Sequence, residues 1–188
     1  MKRLSVITLI ALAGLALGLS ACSSSPATTP PATTPKQLLN AGITAQASGN
    51  ITVARNDYAA VIAQDPQNKT GYDLYAYYNL GVIDQTQAHL EAAETEYQSA
   101  LAIDPKYYNA MYNLAVAETT TAPQSAIAQY RQLLRIKPRD INSTYNLGLL
   151  LYDTGHLAQG RVLLKQAIAL DPALRAKIPK TVKLNGKS

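Results

Sequence analysis

A four-residue string returns through the chain at a nearly constant interval: Tyr78-Asn79-Leu80-Gly81, Tyr112-Asn113-Leu114-Ala115 and Tyr145-Asn146-Leu147-Gly148, at steps of 34 and 33 residues. A second marker follows each copy, as Asp65-Pro66, Asp104-Pro105, Lys137-Pro138 and Asp171-Pro172, with proline-to-proline steps of 39, 33 and 34. A repeat of that length is one supersecondary unit too small to bury its own apolar face, so successive units must stack. Gly81, Ala115 and Gly148 mark a crossing of two helices where a larger side chain would force them apart, with Ala54, Ala93 and Ala126 opposite. Gly49 and Gly155 end the first helix of a unit in a conformation open mainly to glycine. Each proline stops the second helix, because it lacks an N–H and clashes with the preceding turn. The third unit is one residue short between its helices, in Thr119-Thr120-Thr121-Ala122-Pro123, so its turn must differ.

These residues resemble the tetratricopeptide repeat, in copies at about 35–68, 74–107, 108–140 and 141–174, the first being degenerate with Ala41 where Leu is expected. The resemblance implies an all-α fold, a right-handed superhelix of about four helix-turn-helix repeats (an α-solenoid) over 36–178. It also implies a concave face lined by the first helix of each repeat. Counting from each repeat's start places Asn40, Asn79, Asn113 and Asn146 at one position on that face, preceded by Leu39, Tyr78, Tyr112 and Tyr145. A ladder of amides offers donors and acceptors to the backbone of an extended peptide whatever its sequence, and the tyrosines add flat contact with a polar tip. The same amides would alternatively brace neighbouring repeats. The Lys and Arg with which some members clamp a terminal carboxylate are replaced by the neutral Leu39, Asn109 and Asn113, so that ligand is not expected.

The chain opens with Lys2 and Arg3, then an apolar run from Leu4 to Leu19, the layout of a secretory signal and short for a spanning helix. The run ends in Leu19-Ser20-Ala21-Cys22, which resembles the lipobox of bacterial lipoproteins. That resemblance implies cleavage after residue 21 and acylation of Cys22, the only cysteine. The mature protein is then expected to be exported and held by lipid on the cell membrane or outer membrane, facing the periplasm or the exterior. Residues 22–35 carry only Ser, Pro, Ala and Thr after the cysteine, nothing to bury, and read as a tether.

One cysteine and two histidines exclude a disulfide framework and the common zinc and iron–sulfur sites, and no cofactor is expected. No phosphate loop, nucleophile elbow or paired carboxylates of catalytic character stand out, and His89 and His156 read as solvated turn residues; no catalytic residue is assigned. From Cys22 to Glu118 four Lys/Arg face nine Asp/Glu, whereas from Thr119 onward eleven face three, so the mature chain is acidic in its first half and basic in its second. Nucleic acid is not an expected partner outside the cytoplasm. The sequence therefore points to a non-catalytic scaffold binding another protein or peptide, with a peptidoglycan-binding protein or an accessory of an envelope enzyme as the alternative. Residues 179–188 read as a solvated basic tail. The last helix, with Val162, Leu163, Leu164, Ala167, Ile168 and Leu170, holds more apolar residues than one packing face requires. Leu174 and Ile178 can cover part of it, and from the rest an exposed strip flanked by Arg161, Lys165 and Arg175 is expected, docking a partner or, in weak self-association through the fourth repeat, a second copy of the chain.

Overall fold

The computed structural model describes residues 33–185; the candidate signal, Cys22 and most of the tether lie outside them. The described residues form four antiparallel helix pairs: α1 (Pro35–Ala47) with α2 (Ile51–Gln64), α3 (Tyr72–Thr86) with α4 (Leu90–Ile103), α5 (Tyr108–Thr121) with α6 (Pro123–Ile136), and α7 (Ile141–Asp153) with α8 (Leu157–Leu170). A 3-10 turn, Pro172–Lys177, follows. No strand occurs among the described residues, and no helix there is long and apolar enough to cross a membrane.

Local chemistry sets the helix ends. Thr34 starts α1 with a capping box, its hydroxyl accepting from the Gln37 N–H at 3.3 Å while the Gln37 carboxamide accepts from the Thr34 N–H at 2.8 Å. Asp140 caps α7 by accepting the Ser143 N–H at 2.7 Å. Between the helices of a pair the chain turns through a left-handed residue: Gly49 (φ +78°), Ala88 (φ +61°) and Gly155 (φ +88°). The shortened third turn has no such residue and passes through Ala122 at φ −143°. The long step of 39 is a loop folded around Asp65, whose carboxylate accepts from the Lys69 N–H at 2.8 Å and the Thr70 hydroxyl at 2.6 Å.

Within each pair one large side chain of the second helix lies on the small residue of the first. A Cβ on Gly42 would meet the Tyr58 ring at 2.6 Å, one on Gly81 the Tyr97 ring at 2.6 Å, and one on Gly148 Leu164 at 2.9 Å. Tyr58, Tyr97, Tyr130 and Leu164 are all fully or almost fully buried. With no Phe or Trp in the chain, tyrosine supplies this volume, and its hydroxyl must then be satisfied. Tyr58 donates to Gln46 at 2.7 Å and Tyr97 to Gln85 at 2.6 Å, one register position on two repeats.

Across repeats, the backbones of α1 and α3, α3 and α5, and α5 and α7 approach closely, whereas those of α2, α4, α6 and α8 do not approach one another. The odd helices therefore form the inner, tighter row and the even helices splay outward. At the C-terminal end Leu174 covers the last pair as expected, and the chain beyond it, in the expected solvated tail from 179 on, also packs down. Val182 and Leu174 are buried, the Lys177 carbonyl accepts from the Tyr145 hydroxyl at 3.0 Å, and the Lys183 N–H donates to the Tyr152 hydroxyl at 3.1 Å. Through Asn185 this segment covers the last helix pair, as a terminal repeat requires.

Candidate functional site

The inner row carries the predicted groove residues, and the structure joins some of them across repeats. Asn146 donates from Nδ2 to the Tyr112 hydroxyl at 3.0 Å and to the Tyr130 hydroxyl at 3.4 Å. One repeat earlier Asn113 donates to the Tyr78 hydroxyl at 3.4 Å. Each amide thus lies beside a tyrosine of the preceding odd helix. Asn79 has no such hydroxyl, because the preceding repeat has Leu39 there, buried; its Nδ2 turns back to the Tyr75 carbonyl of its own helix at 2.8 Å. Asn40, in the first repeat, is exposed, and Tyr145 has turned toward the C-terminal cap.

Rings from two repeats crowd the second junction: Tyr78 stands edge-on to Tyr107 at 5.3 Å, and Tyr75 to Tyr107 at 6.0 Å. Next to them a polar cavity of about 170 Å³ is lined by Tyr78, Tyr108, Asn109, Tyr112, Asn113, Asp140 and Asn142. Burial pushes the hydroxyls of Tyr108 and Tyr112, both in its lining, above their usual range, so these groups stay protonated at any physiological pH. The cavity therefore offers neutral donors and acceptors around one carboxylate, suited to hydrogen bonding and not to proton transfer.

Two features escaped sequence reasoning. The first is the ion pair of Arg55 in α2 with the buried Asp84 in α3, with His89 Nδ1 at 3.5 Å from the same carboxylate. His89 is otherwise exposed, in keeping with a turn residue. Arg55 and Asp84 stand 29 residues apart, and nothing in the repeat marks either as paired. The second is Gly160, where the other repeats have Ala54, Ala93 and Ala126; a Cβ there would meet backbone atoms of α7 at 2.7–3.0 Å. Leu164 and Ala167 are core, Val162 is 65% exposed, and Arg161 faces the Tyr152 ring at 5.9 Å. Among the described residues no group of acidic, histidine or cysteine side chains is placed to hold a metal ion.

Residues 78–141 and 141–174 each match a family model described as a tetratricopeptide repeat, together spanning just over half of the 188 residues. The chain belongs to the tetratricopeptide-repeat family, whose members bind other proteins or peptides and are in general non-catalytic scaffolds. Solved structures with the same fold include a tetratricopeptide repeat protein from Parabacteroides merdae ATCC 43184, at 22% identity and a TM-score of 0.67 over 73% of this chain and 54% of that one. The chain thus spans about half the length of that relative. MamA is similar at 24% identity and a TM-score of 0.66, over 78% of this chain and 82% of that one. YrrB, described as a TPR protein with an unusual peptide-binding site, is similar at 16% identity and a TM-score of 0.64, over 72% and 68%. No curated protein sequence matches the chain at a significant level.

Proposed function

We propose that this protein is a lipid-anchored scaffold of the bacterial cell envelope that holds an extended peptide segment of another protein along its odd-helix row. The carrying observation is the inner-row cavity beside Tyr78, Asn109, Tyr112 and Asn142, where amides and hydroxyls on neighbouring repeats face one space and no catalytic group joins them. Asn113 and Asn146 are drawn into holding their neighbours, so the exposed amides at this cavity are Asn142 and Asn109, the latter also hydrogen-bonded to Tyr107. Hydrogen bonds from such groups to a peptide backbone contribute about 0.5–1.5 kcal/mol each.

Anchoring rests on the Leu19-Ser20-Ala21-Cys22 ending and on Cys22 being the only thiol. Labelled palmitate fed to expressing cells should mark the wild type and leave Cys22→Ala unmarked; equal labelling of both removes the anchor. For the groove, a photo-crosslinking side chain at position 109 should capture a partner in membranes, and the same group at Thr52 on the outer row should not. Capture from both sites, or loss of helical signal without loss of capture in Asn109→Ala/Asn142→Ala, would count against the inner row.

A further inference from the structure

The outer row carries a second surface. The backbones of neighbouring even helices do not approach one another closely, and side chains of the odd helix between them lie at the base of each gap. In the first gap the base residue is Asp84, ion-paired with Arg55, and the wall carries Glu96. In the second the corresponding residues are Glu118 and Gln129, hydrogen-bonded to each other at 2.7 Å. In the third the same positions hold Leu151 and Leu163, and Ile127 stands where Arg55 stands in the first. Polar side chains occupy these positions in the first two gaps, while the third holds an open apolar groove of about 580 Å³.

One wall of that groove is charged. Arg131 and Arg135, one helical turn apart on α6, line it, where the first repeat has Ala59 and Ala63 and the second Gln98 and Ala102. Neither arginine makes an ion pair or hydrogen bond among the described residues, both are exposed, and no Asp or Glu lines the groove. Two unpaired guanidinium groups beside exposed apolar surface complement a ligand with apolar anchors and carboxylates at the same spacing. The walls are ridges of helical side chains: Arg131, Leu134 and Arg135 from α6, and Ala158, Val162 and Leu163 from α8. Such ridges receive the i, i+3 and i+4 side chains of a third helix.

We propose that the α6–α8 groove docks an amphipathic helix of a partner protein, with Leu-type anchors set against Leu151, Val162 and Leu163 and with Asp or Glu paired to Arg131 and Arg135. This site lies on the outer row, independent of the inner-row peptide site, so one chain can join two partners.

The test uses full-length protein in mild non-ionic detergent and two labelled helical peptides of about 18 residues, long enough to hold a helix. Both carry the same leucine stripe, one flanked by Glu and the other by Lys. Anisotropy should show the Glu peptide binding about tenfold or more tighter than the Lys peptide, with the gap closing at high salt. Arg131→Glu/Arg135→Glu should invert the preference, and Leu163→Glu should abolish both affinities while the helical signal holds. Equal binding of the two peptides, or a preference unmoved by the charge reversal, overturns the proposal. Sedimentation and a palmitate arm test two other occupants. Self-association lost on charge reversal, without peptide binding, would make the occupant a second copy of this chain; palmitate binding without peptide binding would make it a lipid. Either result overturns the partner-helix assignment.

Discussion

Gly160→Ala tests how closely the last helix pair packs. An added Cβ would lie 2.7 Å from the Gly148 carbonyl oxygen, 2.8 Å from the Tyr152 nitrogen and 3.0 Å from the Tyr152 Cα, where ordinary contact is 3.4–4 Å. All three atoms are backbone, so no side chain can swing aside and α8 must retreat from α7 by roughly 0.6 Å, loosening Leu164 and Leu147 in the core. Overpacking of this kind costs about 1–3 kcal/mol, and the upper end applies where backbone meets backbone. Replacing glycine inside a helix returns about 1 kcal/mol. The net loss is about 2 kcal/mol, which for an array of this size lowers Tm by about 4–8 °C. The other repeats supply the control: Ala54, Ala93 and Ala126 are buried in pairs that carry Tyr58, Tyr97 and Tyr130 at the position of Leu164. Gly160→Ala combined with Leu164→Tyr recreates that arrangement and should be more stable than the sum of the single changes. Thermal unfolding of the full chain followed by far-UV circular dichroism reads both. An unchanged or raised Tm in Gly160→Ala, or strict additivity in the pair, would refute the reasoning.

Ala88 holds a left-handed conformation that Gly49 and Gly155 occupy in other repeats, so Ala88→Gly should stabilise the array by about 0.5–1 kcal/mol, seen as a Tm rise of a few degrees. Tyr112→Phe removes the hydroxyl that accepts from Asn146 and should cost about 0.5–1.5 kcal/mol in denaturant melts, more than Tyr78→Phe, whose bond to Asn113 is longer. The Thr70 hydroxyl and N–H, then the Lys69 N–H, hold the Asp65 carboxyl below the usual carboxylate range. Its contribution is therefore present above the unfolded pKa and lost as pH falls through the lower folded value. Asp65→Asn should melt below wild type at neutral pH and converge with it in the most acidic part of a Tm-against-pH series; a constant gap would refute the assignment.

The repeat was legible because its markers act locally. Pro66, Pro105, Pro138 and Pro172 stop helices wherever they stand, Gly49 and Gly155 turn the chain by their own φ, and the missing residue before Pro123 changes only its own turn. The inner-row positions were legible in part: counting placed Asn79, Asn113 and Asn146 in one register, but the partner of each depends on the repeat before it. Leu39 in place of tyrosine leaves Asn79 bonded to its own helix, while Asn146 reaches Tyr112 and Tyr130. Leu174 was legible as a cover for the last helix pair, but Val182 was not, because Lys180 and Lys183 around it make the segment look solvated while a backbone bond to Tyr152 holds it down.

By itself, then, the sequence determined the helix-pair architecture, the small-residue crossings and the division into acidic and basic halves, since period, steric limits on φ and counts of charge need no third dimension. Tertiary structure alone decided that Gly160 lies against the backbone of α7, which amides brace their neighbours, that Arg55 meets Asp84, and that the third outer gap is open, apolar and lined by two unpaired arginines. Those outcomes arise between residues some 10 to 35 positions apart on different helices. They depend on how whole side chains pack across helices, which a one-dimensional pattern does not carry.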